Sequence, residues 1–196
     1  MKKILILNGN PKIGSFCQAL AEQYAAACRP SSAVQLVHVH QLQFDPDLNT
    51  GDLKTPPLEP DLLQFQQQLQ WADHVVVMCP VWWGGMPAKL KGLFDRTLLS
   101  GFAFEYHQGD TFQRKLLKGR SAELFITLDT PVFWYRWWQK APLSFQLKYT
   151  ILGFVGINTQ AIHYMGSVIG SDARQRQQWL EHAAKRGRRA TTSIRG

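Results

Sequence analysis

A short loop in the first half of the chain carries an unusual combination of aromatic and flexible residues. It follows the apolar run at 75–79, and its central residues are Trp82, Trp83, Gly84 and Gly85. Glycines let the backbone approach a ligand closely, and indole faces stack on flat rings. The loop therefore predicts a site for a planar heteroaromatic ligand. The alternative, that the tryptophans only cap the core, is weakened because the predicted helix at 87–98 has a complete apolar stripe of its own.

A second loop, at 9–17, follows the apolar run at 4–7. Ser15 and Gln18 form a capping-box pattern, which predicts a helix beginning at about Ser15. The free backbone N–H groups at such a helix start favour a phosphate, and the Ser15 hydroxyl is a further donor. An ordinary capped turn explains the loop equally well. Ser15-Phe16 stands where a Walker A loop requires Lys and Ser or Thr, and no GxGxxG pattern is present.

These two loops lie at the ends of elements that alternate along the chain. Strands are predicted at 4–7, 34–39, 75–79, 122–127 and 160–165, and helices at 16–27, 62–72, 87–98 and 172–185. Alternation of this kind favours an α/β fold, a flavodoxin-like three-layer sandwich with a five-stranded parallel sheet of order 2-1-3-4-5. Ligands of such sheets bind beyond the carboxyl ends of the strands, at the switch point beside strand 1.

The positive charge is concentrated at one end of the chain. Of the net charge of +8, the stretch from Arg174 to Gly196 carries +6, and the first 173 residues carry only +2. We therefore expect a flavodoxin-like domain over 1–185 and a solvated basic tail over 186–196, and we expect no nucleic-acid partner. The tail offers a route to a peripheral membrane or transporter contact.

The cysteines and the lengths of the apolar runs bear on metal binding and on the cellular compartment of the protein. The three cysteines are too few and too scattered for a disulfide framework, and no cluster predicts a metal site. The apolar run at 4–7 is shorter than a signal-peptide core, and no run is long enough to span a membrane. A cytoplasmic protein is the expectation.

The loop after the third predicted strand continues into a motif that resembles a known family. The stretch from Trp83 to Arg96 reads WGGMPAKLKGLFDR, and Gly14-Ser15-Phe16 agrees with it. This combination resembles the NAD(P)H:quinone oxidoreductase family, the flavodoxin-like group that also includes drug-activity modulators and ancillary subunits of potassium efflux systems. The resemblance is dense from residue 4 to about 106 and continues with gaps to the last strand.

The resemblance implies a homodimer that binds FMN or FAD, accepts a hydride from NAD(P)H, and passes two electrons to a quinone by ping-pong kinetics. The implied cofactor-binding residues are Asn10, Ser15, Phe16, Cys17, Pro80, Val81, Trp82, Trp83, Thr127, Leu128, Asp129 and Thr130. The implied substrate pocket contains Trp83, Gly84, Phe104, Tyr106 and Trp134, with Phe104 and Tyr106 contributed by the second subunit. No adenosine-binding segment is recognisable, which favours FMN.

The sequence departs from the family pattern in two places. Asp129 stands where a glycine pair is common, and we expect its carboxylate to point away from the flavin or to accept from flavin N3–H. Tyr135 matches a tyrosine that stabilises charge on the reduced flavin and is the implied catalytic residue. The histidine that often follows six residues later is replaced by Ala141.

The segment after Thr130 is rich in aromatic residues, which favours a wall over the flavin or a dimer contact equally. The function predicted from all these features is a flavin-dependent NAD(P)H oxidoreductase that reduces quinones or related flat azo and nitro compounds. The alternatives are a flavin-binding regulatory subunit of a membrane transporter and a flavodoxin-type electron carrier.

Overall fold

Parallel strands at the centre of the computed structural model, which describes residues 1–48, 57–107, 109 and 111–192, form a five-stranded sheet. In chain order the strands are β1 (Lys2–Asn8), β2 (Ser32–His38), β3 (His74–Pro80), β4 (Phe104–Glu105), β5 (Arg114–Lys115), β6 (Ser121–Thr127) and β7 (Asn158–Met165). The sheet order is β2-β1-β3-β6-β7, and β4 and β5 form a separate antiparallel ribbon. Without the ribbon, the order is the predicted one.

Helices cover both faces of the sheet. They are α1 (Phe16–Cys28), α2 (Pro60–Trp71), α3 (Ala88–Thr97), α4 (Val132–Trp137), α5 (Pro142–Phe145), α6 (Gly153–Val155) and α7 (Ala173–Thr192), with a π-helical stretch at Gln146–Leu152 and a 3-10 turn at Val39–Gln41. None of the helices in the described part of the chain is long and apolar enough to cross a bilayer.

The central strands are apolar on both faces because each face packs on a helical layer. Leu5 and Val77 belong to the core beneath α2 and α3. Ile6 and Val76, their neighbours in sequence, belong to the core beneath α1 and α7. This alternation explains why the continuous apolar runs, which lack a polar face, predicted strands in the middle of a parallel sheet.

The predicted boundary at residue 185 falls inside a helix, so residues 186–191, expected to form a solvated basic tail, belong to α7, and only part of their surface is solvated. The helix α7 continues to Thr192, and Gly187 and Ala190 are buried. A Cβ atom on Gly187 would lie 2.7 Å from the Tyr24 carbonyl oxygen, so glycine permits α7 to approach α1 closely. The net charge of this stretch gives no indication that its small residues are buried against the core. Residues 193–196 lie outside the described part of the chain.

Candidate active site

The first loop, between β1 and α1, presents backbone donors at the start of a 13-residue helix. Ser15 Oγ accepts a hydrogen bond from Gln18 N at 3.3 Å, which confirms the predicted cap. Gln18 Oε1 accepts from Gly14 N at 3.0 Å, one residue before the position in a standard capping box. No oxygen of the described residues accepts from the N–H of Phe16 or Cys17. This helix start is therefore suited to bind an anion.

Asparagine side chains fix the shape of the same loop. Asn8 Oδ1 accepts from Asn10 N at 3.1 Å, and Asn10 Oδ1 accepts from Lys12 N at 3.0 Å. Asn10 is buried, and its side-chain oxygen holds the loop in place through the hydrogen bond from Lys12 N. Lys12 Nζ lies 5.4 Å from the centroid of the Trp82 ring and joins this loop to the next one. Lys12 was missed in the sequence because a lone loop lysine carries no spacing signal.

The buried thiol of Cys17 joins this loop to the end of β6. Its Sγ lies 3.2 Å from Thr127 Oγ1. Burial raises the pKa of the Cys17 thiol to about 11, although its hydrogen bonds to Thr127 and Asn10 act in the opposite direction. Because the thiolate is the reactive form, Cys17 is a packing residue of the site and not a nucleophile.

The second loop, after β3, forms a tight turn that exposes one of its two tryptophans. Trp82 N donates to Gly85 O and Gly85 N donates to Trp82 O, each at 2.9 Å. Between them, Trp83 has φ +51° and Gly84 has φ +79°, the left-handed conformations of a type I′ turn. Trp83 is fully exposed at 105% of its reference area. The exposed indole contradicts the simple interpretation that both tryptophans cap the core.

This turn also determines which backbone donors are available. Val81 N donates to Thr127 O at 2.8 Å, and Trp82 N is engaged within the turn, so neither is free. Among the described residues, nothing accepts a hydrogen bond from the N–H of Trp83 or Gly84. The donors available to a ligand are therefore the two at the tip of the turn.

The third loop, after β6, binds its carboxylate to the loop after β7. Asp129 Oδ1 accepts from Ile169 N at 3.0 Å, in the connection that leads to α7. Leu128 N donates to Met165 O at 2.9 Å, and Leu128 is buried. Thr130 and then Pro131 lead into α4. Asp129 thus has a partner within the fold, as one of the two expectations for it supposed.

Tyr135 lies in the core and not on the surface of this edge. Its side chain is fully buried, 6.0 Å from the Tyr164 ring between centroids. Burial raises the pKa of its phenol, whose oxygen has no hydrogen-bond partner among the described residues. Contact between this phenol and a ligand would require α4 to move, so a catalytic role for Tyr135 stays a prediction.

The predicted pocket residues fall into two separate groups. A Cβ atom on Gly84 would lie 3.7 Å from Pro142, so the Trp83 turn adjoins the segment that contains Trp134. Trp134 is 43% exposed and stacks on Trp138 at 5.2 Å. Phe104 and Tyr106 instead contact each other at 5.7 Å, and Phe104 contacts Phe154 at 5.2 Å. Within one chain these two aromatic residues make no ring contact with the described tryptophans.

Comparison with known proteins identifies the family to which the chain belongs. The chain matches the family model described as a flavodoxin-like fold over residues 2–187. A Haemophilus influenzae protein named an uncharacterized NAD(P)H oxidoreductase is 25% identical over 199 residues, which cover 99% of this chain and 98% of that protein. A crystal structure of a Streptococcus mutans UA159 protein has a TM-score of 0.83 and 27% identity, covering 96% of this chain and 100% of the other.

A second relative has a higher identity over a shorter stretch. The rat ribosyldihydronicotinamide dehydrogenase (quinone) is 44% identical over 128 residues, which cover 53% of this chain and 54% of that protein. The chain therefore matches about half the length of this relative.

Proposed function

Because the chain belongs to the family of the flavodoxin-like fold, we propose that it is a flavin-dependent NAD(P)H oxidoreductase that passes two electrons to quinones or related flat acceptors. The observation that carries this proposal is the Trp83–Gly84 turn, whose two unpartnered N–H donors lie at the same sheet edge as the capped start of α1. At that edge the start of α1 suits an anion, and the Trp83–Gly84 turn suits a polar ring.

The described residues fit a flavin mononucleotide at this edge. Ser15 Oγ and the N–H groups of Phe16 and Cys17 would hold its phosphate, as at other helix starts. The N–H groups of Trp83 and Gly84 would donate to acceptor atoms of the ring system. A bound flavin supplies reversible two-electron chemistry. The part of this chain is to bind and orient the flavin and to exclude water from one of its faces.

The acceptor is proposed to be flat and apolar because aromatic side chains border the site. Trp83 at the tip of the turn is fully exposed, and Trp134, in the segment that leads to Pro142 beside Gly84, is 43% exposed. NAD(P)H and the acceptor would use this surface in turn, which is the ping-pong scheme. Phe104 and Tyr106 lie apart from the turn in one chain, which supports the proposal that a homodimer brings them to the partner's site.

Flavin binding and turnover test the proposal directly. The purified protein is incubated with FMN or FAD, desalted and denatured, and the released flavin is identified by its fluorescence. NADH or NADPH oxidation is then followed with menadione as acceptor. We expect FMN to be retained and menadione reduction to be catalytic. A protein that retains neither flavin contradicts the proposal, and retention of flavin without turnover favours an electron carrier.

A further inference from the structure

One segment of the surface exposes far more aromatic area than the proposed chemistry uses. The aromatic face consists of six side chains that are each 43–73% exposed: Phe133, Trp134, Trp137, Trp138, Phe145 and Tyr149. Two pairs are in ring contact, Trp134 with Trp138 at 5.2 Å and Phe145 with Tyr149 at 5.0 Å. Scattered exposed hydrophobic residues are normal, but a concentration of this kind marks an interaction surface.

The charges within the same segment all have one sign. From Thr130 to Ser171 the sequence contains no aspartate or glutamate, whereas Arg136, Lys140 and Lys148 are basic. Arg136 and Lys140 are exposed, and Lys148 Nζ lies 4.7 Å from the centroid of the Tyr149 ring. The aromatic face is thus interspersed with cations that have no acid beside them in sequence.

A basic cavity adjoins one end of the aromatic face. It has a volume of about 320 Å³, and Lys115, Lys118, Lys148 and Tyr149 line it with no acidic residue. Thr159 also lines it, and the Thr159 hydroxyl is buried without a hydrogen-bond partner among the described residues. Lys115 Nζ donates to Gly153 O at 2.7 Å, which holds one ammonium group at the rim. A negatively charged oxygen is the complement of this cavity.

We propose that the aromatic face docks the protein on a bilayer that contains anionic lipids. Tryptophan and tyrosine favour the headgroup level because their rings are amphipathic. Basic residues beside an apolar surface add attraction to acidic lipids. In this arrangement the indoles of Trp137 and Trp138 enter the interface, and a lipid phosphate approaches the lysine-lined cavity.

A pairing of two aromatic faces is a poorer use of this surface, and it is distinct from the proposed homodimer, in which Phe104 and Tyr106 of the partner subunit come to the site. Two copies of the aromatic face would bring Arg136, Lys140 and Lys148 toward an identical set of cations, and the segment offers no acid to pair with them. Partner surfaces that associate specifically are complementary in charge. An anionic bilayer provides the charge that a second aromatic face lacks.

Vesicle binding by the full-length protein tests the proposal. The protein is sedimented with vesicles of phosphatidylcholine alone or of phosphatidylcholine mixed with phosphatidylglycerol, at low and high salt. We expect binding to the anionic vesicles that weakens with salt, together with a blue shift of tryptophan fluorescence. The double variant W137A/W138A is expected to lose about tenfold or more in vesicle affinity, because both indoles leave water on docking.

Two controls keep the result specific to this surface. Leu63→Ala removes an exposed apolar side chain from α2 and should leave vesicle binding unchanged. K185Q/R188Q neutralises two exposed cations of α7 and should lower the affinity much less than W137A/W138A does. Circular dichroism verifies that each variant is folded.

Three outcomes would overturn the proposal. They are an absence of binding to anionic vesicles, a loss of binding in K185Q/R188Q but not in W137A/W138A, and a wild-type dimer that W137A/W138A dissociates while neither form binds vesicles. The last outcome would identify a second copy as the occupant. None of these measurements requires flavin or NAD(P)H, so failure of the docking proposal is distinct from failure of the proposed function.

Discussion

The two ends of the sheet differ in how their ionised side chains and backbone donors are paired. At the carboxyl edge, the N–H groups of Trp83 and Gly84 have no partner among the described residues. Toward the amino ends, the carboxylate of Glu123 is only 3% exposed, is bound by Arg186, and lies 3.5 Å from His163 Nε2. Burying polar groups is tolerable only when they are paired, so paired charges belong to the fold. Unpaired donors at an open edge are available to a ligand.

The largest expected effect comes from breaking the Glu123–Arg186 pair, which lies toward the amino ends of the strands. Arg186→Met leaves a buried carboxylate without its cation and should lower the free energy of unfolding by about 3 kcal/mol. Denaturant titration measures this loss, and the variant should still bind flavin under native conditions. Arg188→Met, at an exposed position of the same helix, is the matched control and should change stability by less than about 0.5 kcal/mol. Equal losses in the two variants would contradict the comparison.

The second prediction concerns the loss of stability in acid, which depends on the buried ionisable groups near the amino ends of the strands. Burial lowers the pKa of His74 to about 4 from its ordinary value of 6.5, so the folded protein keeps this ring neutral. Below pH 6.5 the unfolded chain binds a proton that the folded chain does not. Stability should therefore fall by about 3 kcal/mol as the pH decreases from 6.5 to 4.

Glu123 extends this acid sensitivity to lower pH. Burial acts to raise the pKa of Glu123, but the His163 ring, 3.5 Å away, and the Arg186 guanidinium outweigh it and hold the pKa at about 2. The stability that its ionised form contributes above pH 4.5 is lost as the pH falls toward 2. Thermal unfolding across this range, compared with that of His74→Asn, checks both steps. The variant should lose the step between pH 6.5 and 4, and an unchanged profile would refute the assignment to His74.

The third prediction concerns the anion site at the carboxyl edge. Ser15→Asp keeps a good helix cap but places a carboxylate where the flavin phosphate would bind. The affinity for FMN should fall by about tenfold or more, equivalent to about 1.4 kcal/mol, with little change in melting temperature. Fluorescence titration with FMN measures the affinity. Ser31→Asp, just beyond the other end of α1, is the control and should bind FMN normally.

The smallest expected effect comes from the strained tip of the turn. Trp83 is a non-glycine residue at φ +51° and buries no side-chain area. Trp83→Gly should raise the free energy of unfolding by up to about 1 kcal/mol because glycine accepts this conformation without strain. The same variant should raise KM for menadione because a stacking surface is lost. Loss of stability would show that Trp83 serves the fold and not the ligand.

The sequence predicted the central sheet well because each strong signal there is local. The runs at 4–7 and 75–79 are apolar on both faces, and only a strand covered on both sides suits them. Ser15 with Gln18 located the start of α1 within one residue. Such patterns depend on neighbours in the chain, and they did not need the rest of the fold.

The end of α7 was predicted poorly because its role depends on a distant element. The basic residues that follow Lys185 resemble a solvated tail, yet Arg186 pairs with Glu123 in β6, 63 residues away. Gly187 and Ala190 face α1 and not solvent. Composition cannot show which face of a charged helix is covered.

The sequence by itself determined where the two candidate ligand loops lie in the fold, since both follow apolar strands that only a parallel sheet accommodates. Tertiary structure decided what each residue of those loops does. Trp82 and Trp83 are identical in type and adjacent in the chain, but one lies beneath Lys12 and the other is fully exposed. The turn geometry separates them, because the left-handed conformations of Trp83 and Gly84 leave the Trp83 indole in water while Trp82 is partly buried. Residue type therefore set which chemistry is available at this edge. The backbone conformation set which N–H donors and which indole remain free to contact a ligand.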